Sequence, residues 1–435
     1  MTRFSAFALA GASIGLAASI TIQAQQTVAP PGGGQGAGRG RGQSINLPDG
    51  NGKDFIQTVC VACHQLNMIT GSAGASRQGW LDLLRTMVLL PDEQFNVVAD
   101  YLAKNFPEKP DRRPTLVPGN VKITFKEWLV PTLGQRPRDP LQLADGTIYW
   151  TGQFASVIGR LNPRTGDMKE WKLDPEAHPH SIINDRAGNI WYMGNGNGTI
   201  GKLNPATGEI TVHKMPDPAA RDPHTPIWLK DGTTLFFTLQ QSNMIGRMNT
   251  TTGEITLVTV PTARALPYGI KVNSQGKVWV SYNGANGLAE IDPVTMAITE
   301  HKLPRPGTES RRLAITSDDM VWYVNSAHGA LGRLNPKTGE VKEWPSPSGP
   351  DTHPYAIEVV DDIIWYNESR RRPDALVRFD PKTEKFQSWA IPSGYGIIRH
   401  MRATPDGNLV IHQSSSNRIG LVTIPKSPAT TTSSR

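Results

Sequence analysis

The chain contains only two cysteines among its 435 residues, Cys60 and Cys63, which excludes a small scaffold held together by disulfides. Beyond Phe4–Ile22 it has no apolar run of membrane-spanning length, so no later transmembrane helix is expected. Charge is sparse as well: 19% of residues are charged, the net charge is +7, and Lys and Arg are scattered or sit in turns. No basic stripe forms, which argues against a nucleic-acid partner. Calcium-loop and zinc-ligand spacings, a Gly-rich phosphate loop and a nucleophile elbow are all missing. Function must therefore be sought in one short motif near the N-terminus and in a long repetitive remainder.

The N-terminus has the pattern of an export signal. Arg3 supplies positive charge, an Ala-rich apolar run follows, and Ile22-Gln23-Ala24 is an acceptable cleavage site. Residues 1–24 are read as a signal peptide, which predicts a periplasmic or secreted chain starting at Gln25 with no membrane anchor after cleavage. Residues 25–45, rich in Gly, Pro and Arg, have almost nothing to bury and are expected to be a disordered linker.

The short motif is Cys60-Val61-Ala62-Cys63-His64, the attachment pattern of c-type haem. One turn of chain lets two thiols reach the two vinyl groups of a porphyrin, while the next residue places its imidazole on the iron. Cys60 and Cys63 are thus candidates for covalent attachment of one haem c, and His64 for its proximal ligand. The alternatives are a disulfide, a redox dithiol or half of a zinc site. A redox pair requires a βαβ context and zinc a second ligand pair, and neither surrounds the motif. Met87 is the favoured distal ligand over Met68, which follows His64 too closely to cross the haem. The alternative for Met87 is a core methionine.

Residues 46–107 read as a small helical unit. The first helix is expected over Asp54–Leu66, carrying the motif. Trp80, Leu83, Leu84 and Met87 fall at i, i+3, i+4 and i+7 of a second, and Phe95, Val98, Tyr101 and Leu102 line a third that begins at Pro91-Asp92-Glu93. The motif, Trp80, Met87 and Tyr101-Leu102-Ala103 together resemble short class I cytochrome c domains. That resemblance implies one low-spin haem that transfers electrons and is silent on the partner; a redox protein is the partner expected. Residues 108–120 form a Pro-rich, charged connector.

From residue 121 the chain repeats. Copies of Ile-Gly-Arg-Leu-Asn-Pro-x-Thr-Gly place equivalent residues at Arg160, Lys202, Arg247, Glu290, Arg333, Arg378 and Leu421, 42 to 45 residues apart. Such a period, with four short β patterns per unit, predicts a propeller of seven blades over 121–425. The last unit ends after its third strand, and the orphan segment 122–130 carries Lys126-Glu127-Trp128, matching the outer strands at Lys169-Glu170-Trp171 and Lys342-Glu343-Trp344. The orphan is therefore expected to complete blade seven and remove the exposed edges. Residues 426–435 are a Ser/Thr-rich tail. The fold class expected is a small all-α cytochrome c-like domain followed by an all-β seven-bladed propeller.

The recurrent Pro-x-x-Ile, Asp-Gly-x-x-Trp and Ile-Gly-Arg-Leu elements resemble the virginiamycin B lyase, or streptogramin lyase, family. That resemblance implies Mg²⁺-assisted elimination opening a cyclic depsipeptide, with glutamates and a histidine base at the mouth. Aligning blades on the Trp position gives one candidate ring of Asp139, His180, His224, Tyr268, Arg311, Tyr355 and Arg399 with His400 beside it. A second ring holds Gln153, Gly194, Gln240, Tyr282, Asn325, Glu368 and Gln413, with the register of the third blade open by one residue. Only Glu368 keeps a carboxylate in the second ring, a poor Mg²⁺ site. His180, Glu368 and His400 are the candidate catalytic residues, the histidines as general bases or as hydrogen-bonding residues at blade entrances. Arg311, Arg312, Arg370, Arg371, Arg372 and Arg399 suggest an electropositive lip for an anionic small molecule or acidic partner, with a solvated charged face as the alternative. Two functions are left in competition. One is an exported c-type cytochrome whose propeller docks a partner or binds a substrate. The other is a lyase-like carbon–oxygen lyase with the haem domain as accessory.

Overall fold

In the computed structural model, residues 46–62, 66–71 and 74–426 are described. The expected signal peptide, the linker, Cys63, His64 and the tail from residue 427 lie outside them. The helical unit contains α1 (Lys53–Thr58), a 3₁₀ turn (Cys60–Ala62), α2 (Leu66–Gly71), α3 (Arg77–Arg85) and α4 (Asp92–Asn105). The single helix expected over 54–66 is thus broken after Thr58. There the Thr58 hydroxyl donates to the Asp54 carbonyl at 2.7 Å, a back-bond that competes with helix continuation. Ser76 caps α3 by accepting from the Gly79 amide at 3.1 Å, and Asp92 and Glu93 occupy the first turn of α4. Trp80, Leu83 and Leu84 of α3 pack with Phe95, Val98, Tyr101 and Leu102 of α4, all buried. Met87 lies beyond the end of α3, half-buried against the same cluster, as does Cys60. Among the described residues no helix is long and apolar enough to cross a membrane.

The remainder is seven four-stranded antiparallel sheets. Their inner strands are Pro137–Gln142, Pro179–Asn184, Pro223–Trp228, Pro267–Val272, Ser310–Ile315, Pro354–Val360 and Met401–Ala403, defining blades one to seven. Closure is as expected: Thr124–Leu129 pairs with Arg418–Thr423, with Lys126 opposite Leu421, so the first strand seals the last blade. The repeat register also holds. Arg160, Lys202, Arg247, Glu290, Arg333, Arg378 and Leu421 each face the second strand of their blade, opposite Tyr149, Trp191, Phe236, Trp279, Trp322, Trp365 and Val410.

The glycine of the repeat has a packing cause. A Cβ on Gly159, Gly201, Gly246 or Gly332 would come within about 2 Å of the ring of Trp150, Tyr192, Phe237 or Tyr323. An aromatic from the second strand lies flat over the third, and only hydrogen fits beneath it.

The helical unit docks on the end of the propeller where inner strands begin. The Gly134 amide donates to the Thr86 carbonyl at 3.0 Å, and the Tyr395 side chain packs on Gly79 and the helical core. Gly134 and Tyr395 lie on the loops leading into the inner strands of blades one and seven. The connector runs along blade six, where the Val117 amide donates to the Ser388 hydroxyl at 2.8 Å and the Ser388 amide returns a bond to the Val117 carbonyl at 3.0 Å. The helices therefore share a face with the channel mouth.

Candidate active site at the channel mouth

The residue after the leading proline, or its equivalent, comes to the channel in each blade: Arg138, His180, His224, Tyr268, Arg311, Tyr355 and Arg399. In blade one this is Arg138, where Asp139 is expected from the sequence. The misalignment has a simple source. Blade one carries the aromatic pair Tyr149-Trp150, and the partner of Arg160 is Tyr149, so counting from Trp150 shifts the blade by one residue. The same correction moves the second ring to Gly152, opposite Pro137, and to Leu239, opposite Pro223.

Around the ring the side chains touch in sequence. Arg138 Nη1 donates to His180 Nε2. The His180 and His224 rings meet at a tilt of 32° with centroids 3.5 Å apart, and the His224 and Tyr268 ring centroids are 4.3 Å apart. The Tyr268 and Tyr355 hydroxyls are 2.5 Å apart. Arg399 Nη1 donates to Tyr355 Oη at 3.4 Å, and the Arg311 guanidinium sits 4.6 Å from the Tyr355 ring centre. Arg138, His180, His224, Tyr268 and Tyr355 are all buried.

One residue further along, a second layer closes the channel. Arg312 pairs with the fully buried Asp139 at 3.3 Å and donates from Nε to the Arg399 carbonyl at 2.7 Å, tying blade five to blades one and seven. His400 Nδ1 contacts Asp139 at 3.0 Å, and Ser181 donates its hydroxyl to the same carboxylate. His412 Nε2 accepts the Arg399 and His400 amides, which leaves the proton on Nδ1. Lys271 and Glu358 form a further ion pair at 2.8 Å between blades four and six.

These surroundings set the charges. Burial, with His224 and Arg138, pushes His180 well below its usual range, and burial with Arg312 lowers His400 to about 3, so both are neutral at pH 7. Against the opposing push of burial, Arg312 and His400 hold Asp139 well below the carboxylate range. Burial and the neighbouring Tyr355 raise Tyr268 to about 12. Burial acts on Tyr355 in the same direction, but Arg311 and Arg399 overcome it and pull the phenol down to about 6.

The sequence candidates therefore part company. His180 belongs to the ring and His400 to the layer beneath it. Glu368 is elsewhere: its carboxylate accepts the amide and hydroxyl of Ser348, in the loop before blade six. Outer-strand glutamates do the same for other blades, Glu170 for Thr132, Glu300 for Thr262 and Glu127 for Ser393. Blade six has Ser388 at that outer-strand position, opposite Val377, and Glu368 supplies the missing carboxylate. Its carboxylate thus holds the loop before blade six. The arginine lip also separates: Arg371 donates to the Asp111 and Ser348 carbonyls, Arg372 pairs with Asp374 at 3.0 Å, and Arg312 is held by Asp139.

Among the described residues no group of three or more His, Cys, Asp or Glu is placed to hold a metal ion. The ring offers guanidinium, imidazole and phenol; Asp139 beneath it is already paired and Glu309 lies beside Arg311, so the mouth does not fit a Mg²⁺ site. Arg138, Tyr268 and Tyr355 emerge as the central groups. A reading anchored on the leading prolines, Pro137 and Pro179 alike, finds Arg138. Nothing local in the sequence signals the Tyr268–Tyr355 contact.

The virginiamycin B lyase family model matches residues 124–305 and 264–431. Among solved structures, virginiamycin B lyase from Staphylococcus aureus superposes with a TM-score of 0.63 at 22% identity, covering 70% of this chain and all of that one. A streptogramin B lyase gives 0.63 at 23% identity, covering 70% and 98%. Kuenenia stuttgartiensis hydrazine synthase gives 0.54 at 14% identity, covering 67% and 96%. At these identities the superpositions show the seven-bladed fold. No curated protein matches significantly. The family model spans well over half of the residues and both ends of the ring, and on that ground the chain belongs to the virginiamycin B lyase family.

Proposed function

We propose that the channel mouth performs an acid–base elimination of the carbon–oxygen lyase kind, with Tyr355 as base and Tyr268 as acid. The observation that carries this reading is the 2.5 Å hydroxyl pair in which Arg311 and Arg399 favour the phenolate form of Tyr355 while burial keeps Tyr268 a phenol. Tyr355 takes the proton from a carbon next to a carbonyl, and that electron pair forms the C=C bond. The β C–O bond breaks, and the departing oxygen takes the Tyr268 proton. The hydrogen bond between the two hydroxyls then returns the proton from Tyr355 to Tyr268. Arg311 and Arg399 offset the negative charge that develops on the carbonyl oxygen. His180, neutral and bonded to Arg138, orients the ring.

The test is a panel of compounds bearing an oxygen leaving group β to a carbonyl, from quinupristin, which a relative's structure contains, to simple β-hydroxy acids, followed by the absorbance of the new double bond. Turnover of at least one compound by wild type and none by Tyr355→Phe is expected. Equal activity in the variant, or no reaction across the panel, overturns the reading.

A second reading concerns the helical unit. We propose that this exported chain carries one covalent haem c on Cys60 and Cys63, with His64 and Met87 as iron ligands. In support, Cys60 and Met87 pack on one apolar cluster together with half-buried Phe55, Leu66, Ile69, Val88 and Leu90, and Val59, Val61 and Leu89 are exposed beside it. An incompletely covered apolar surface of this kind suits a porphyrin as its missing core. The bound haem supplies one-electron redox chemistry, with a redox protein as partner. Spectra of protein made with haem-maturation machinery decide it: low-spin c-type bands that Met87→Ala shifts towards high spin are expected, and the lack of covalent haem overturns it.

A further inference from the structure

The mouth has more positive charge than its own residues neutralise. Arg136, Arg138, Arg311 and Arg399 converge there. The Arg136 guanidinium lies 4.7 Å from the Phe154 ring centre and, among the described residues, its side chain has no hydrogen bond or ion pair. Arg138 spends Nη1 on a neutral histidine, and its buried Nε has no partner. The Nε atoms of Arg311 and Arg399 are likewise buried without partners. The facing acids are few. Glu309 lies 3.7 Å from Arg311, Asp139 belongs to Arg312 and His400, and the Tyr355 hydroxyl is shared by Arg399 and Tyr268. Burial and mutual repulsion push Arg136 and Arg138 down from the usual guanidinium range, whereas Tyr355, Tyr268 and Glu309 raise Arg311 against burial, so the missing counter-charge lies on the Arg136 and Arg138 side. Planar guanidiniums with free donors match an oxyanion in charge and geometry.

We propose that Arg136, Arg138, Arg311 and Arg399 form an oxyanion site at the channel mouth that takes a carboxylate or phosphate group of the substrate. The proposal rests on the reading of the mouth as the reaction site and deepens it: the substrate is an anion, held so that its reacting carbon lies beside Tyr355. Arg371, Arg372 and Arg312 are held by other partners and are not part of the site.

Calorimetric titration of the full chain with inorganic phosphate and with malonate, at low ionic strength, tests this directly. Saturable binding of one probe in the millimolar range or tighter is expected, weakened about tenfold or more by Arg138→Gln and by Arg399→Gln. The better-bound probe identifies the source of the oxyanion. If Arg138→Gln does not fold, Arg136→Gln at the rim replaces it. Saturation by neither probe, or equal binding in the variants, overturns the site. The titration needs no turnover. Elimination by a protein that binds neither probe would retire this site alone, and probe binding with no elimination across the panel would retire the acid–base reading alone.

Discussion

Tyr268 and Tyr355 stand 87 residues apart in sequence and two blades apart in the ring, yet their hydroxyls share a 2.5 Å hydrogen bond inside a cluster of guanidiniums. Neither phenol has its ordinary acidity, because Arg311 and Arg399 act chiefly on one of them. A proton can pass between the two without leaving the protein.

This pair predicts a pH signature. A near-ultraviolet titration of folded protein should show one tyrosine ionising near pH 6, lost in Tyr355→Phe. Tyr268→Phe removes the hydroxyl that donates to Tyr355 and should move that ionisation upward. Elimination should rise with pH through about 6, since the base is the ionised form.

The buried histidines predict acid lability. His180, His224, His400 and His412 are held below their usual range, by burial first. The unfolded chain takes up protons below pH 6.5 that the folded chain refuses, so stability is full above pH 6.5 and declines as pH falls. For His400 the decline continues to about pH 3. Each such histidine contributes a slope of about 1.4 kcal/mol per pH unit in its window. Thermal midpoints measured from pH 7.5 to 5 should fall steadily, and a flat profile would contradict the assignment of neutral imidazoles.

The second layer predicts a stability cost at Asp139. Removing this fully buried carboxylate leaves the Arg312 guanidinium unpaired in the channel, a loss of about 3–5 kcal/mol. Asp139→Ala should therefore unfold at much lower denaturant than wild type. Adding Arg312→Met, which removes the stranded charge, should recover part of the loss.

The repeat glycines predict a packing cost. Gly201→Ala places a Cβ 2.0 Å from the Tyr192 ring and should cost about 1–3 kcal/mol through overpacking. Gly166 faces open space with φ +84°, and its alanine variant should cost only the strain of the left-handed backbone, about 1–2 kcal/mol. Chemical denaturation of the pair separates contact from conformation.

The blade count, the closing strand and the helical faces are legible in the sequence because they rest on local periodicities. A 42–45-residue repeat, an orphan Lys126-Glu127-Trp128 strand and an i, i+3, i+4, i+7 stripe each need only neighbouring residues to be read. The mouth was partly legible: His180, His224, Tyr268, Tyr355 and Arg399 follow from the repeat, while Arg138 was displaced by the Tyr149-Trp150 pair. The function of a side chain was the part that only tertiary structure decided. Glu368 reads as a candidate catalytic carboxylate in the sequence, and only the fold shows that it accepts the amide and hydroxyl of Ser348. Tyr355 looks like any channel tyrosine until Arg311 and Arg399, from two other blades, surround it. Periodicity along the chain specifies the strands, but the energy of a buried charge depends on which groups the closed ring brings within a few ångströms of it.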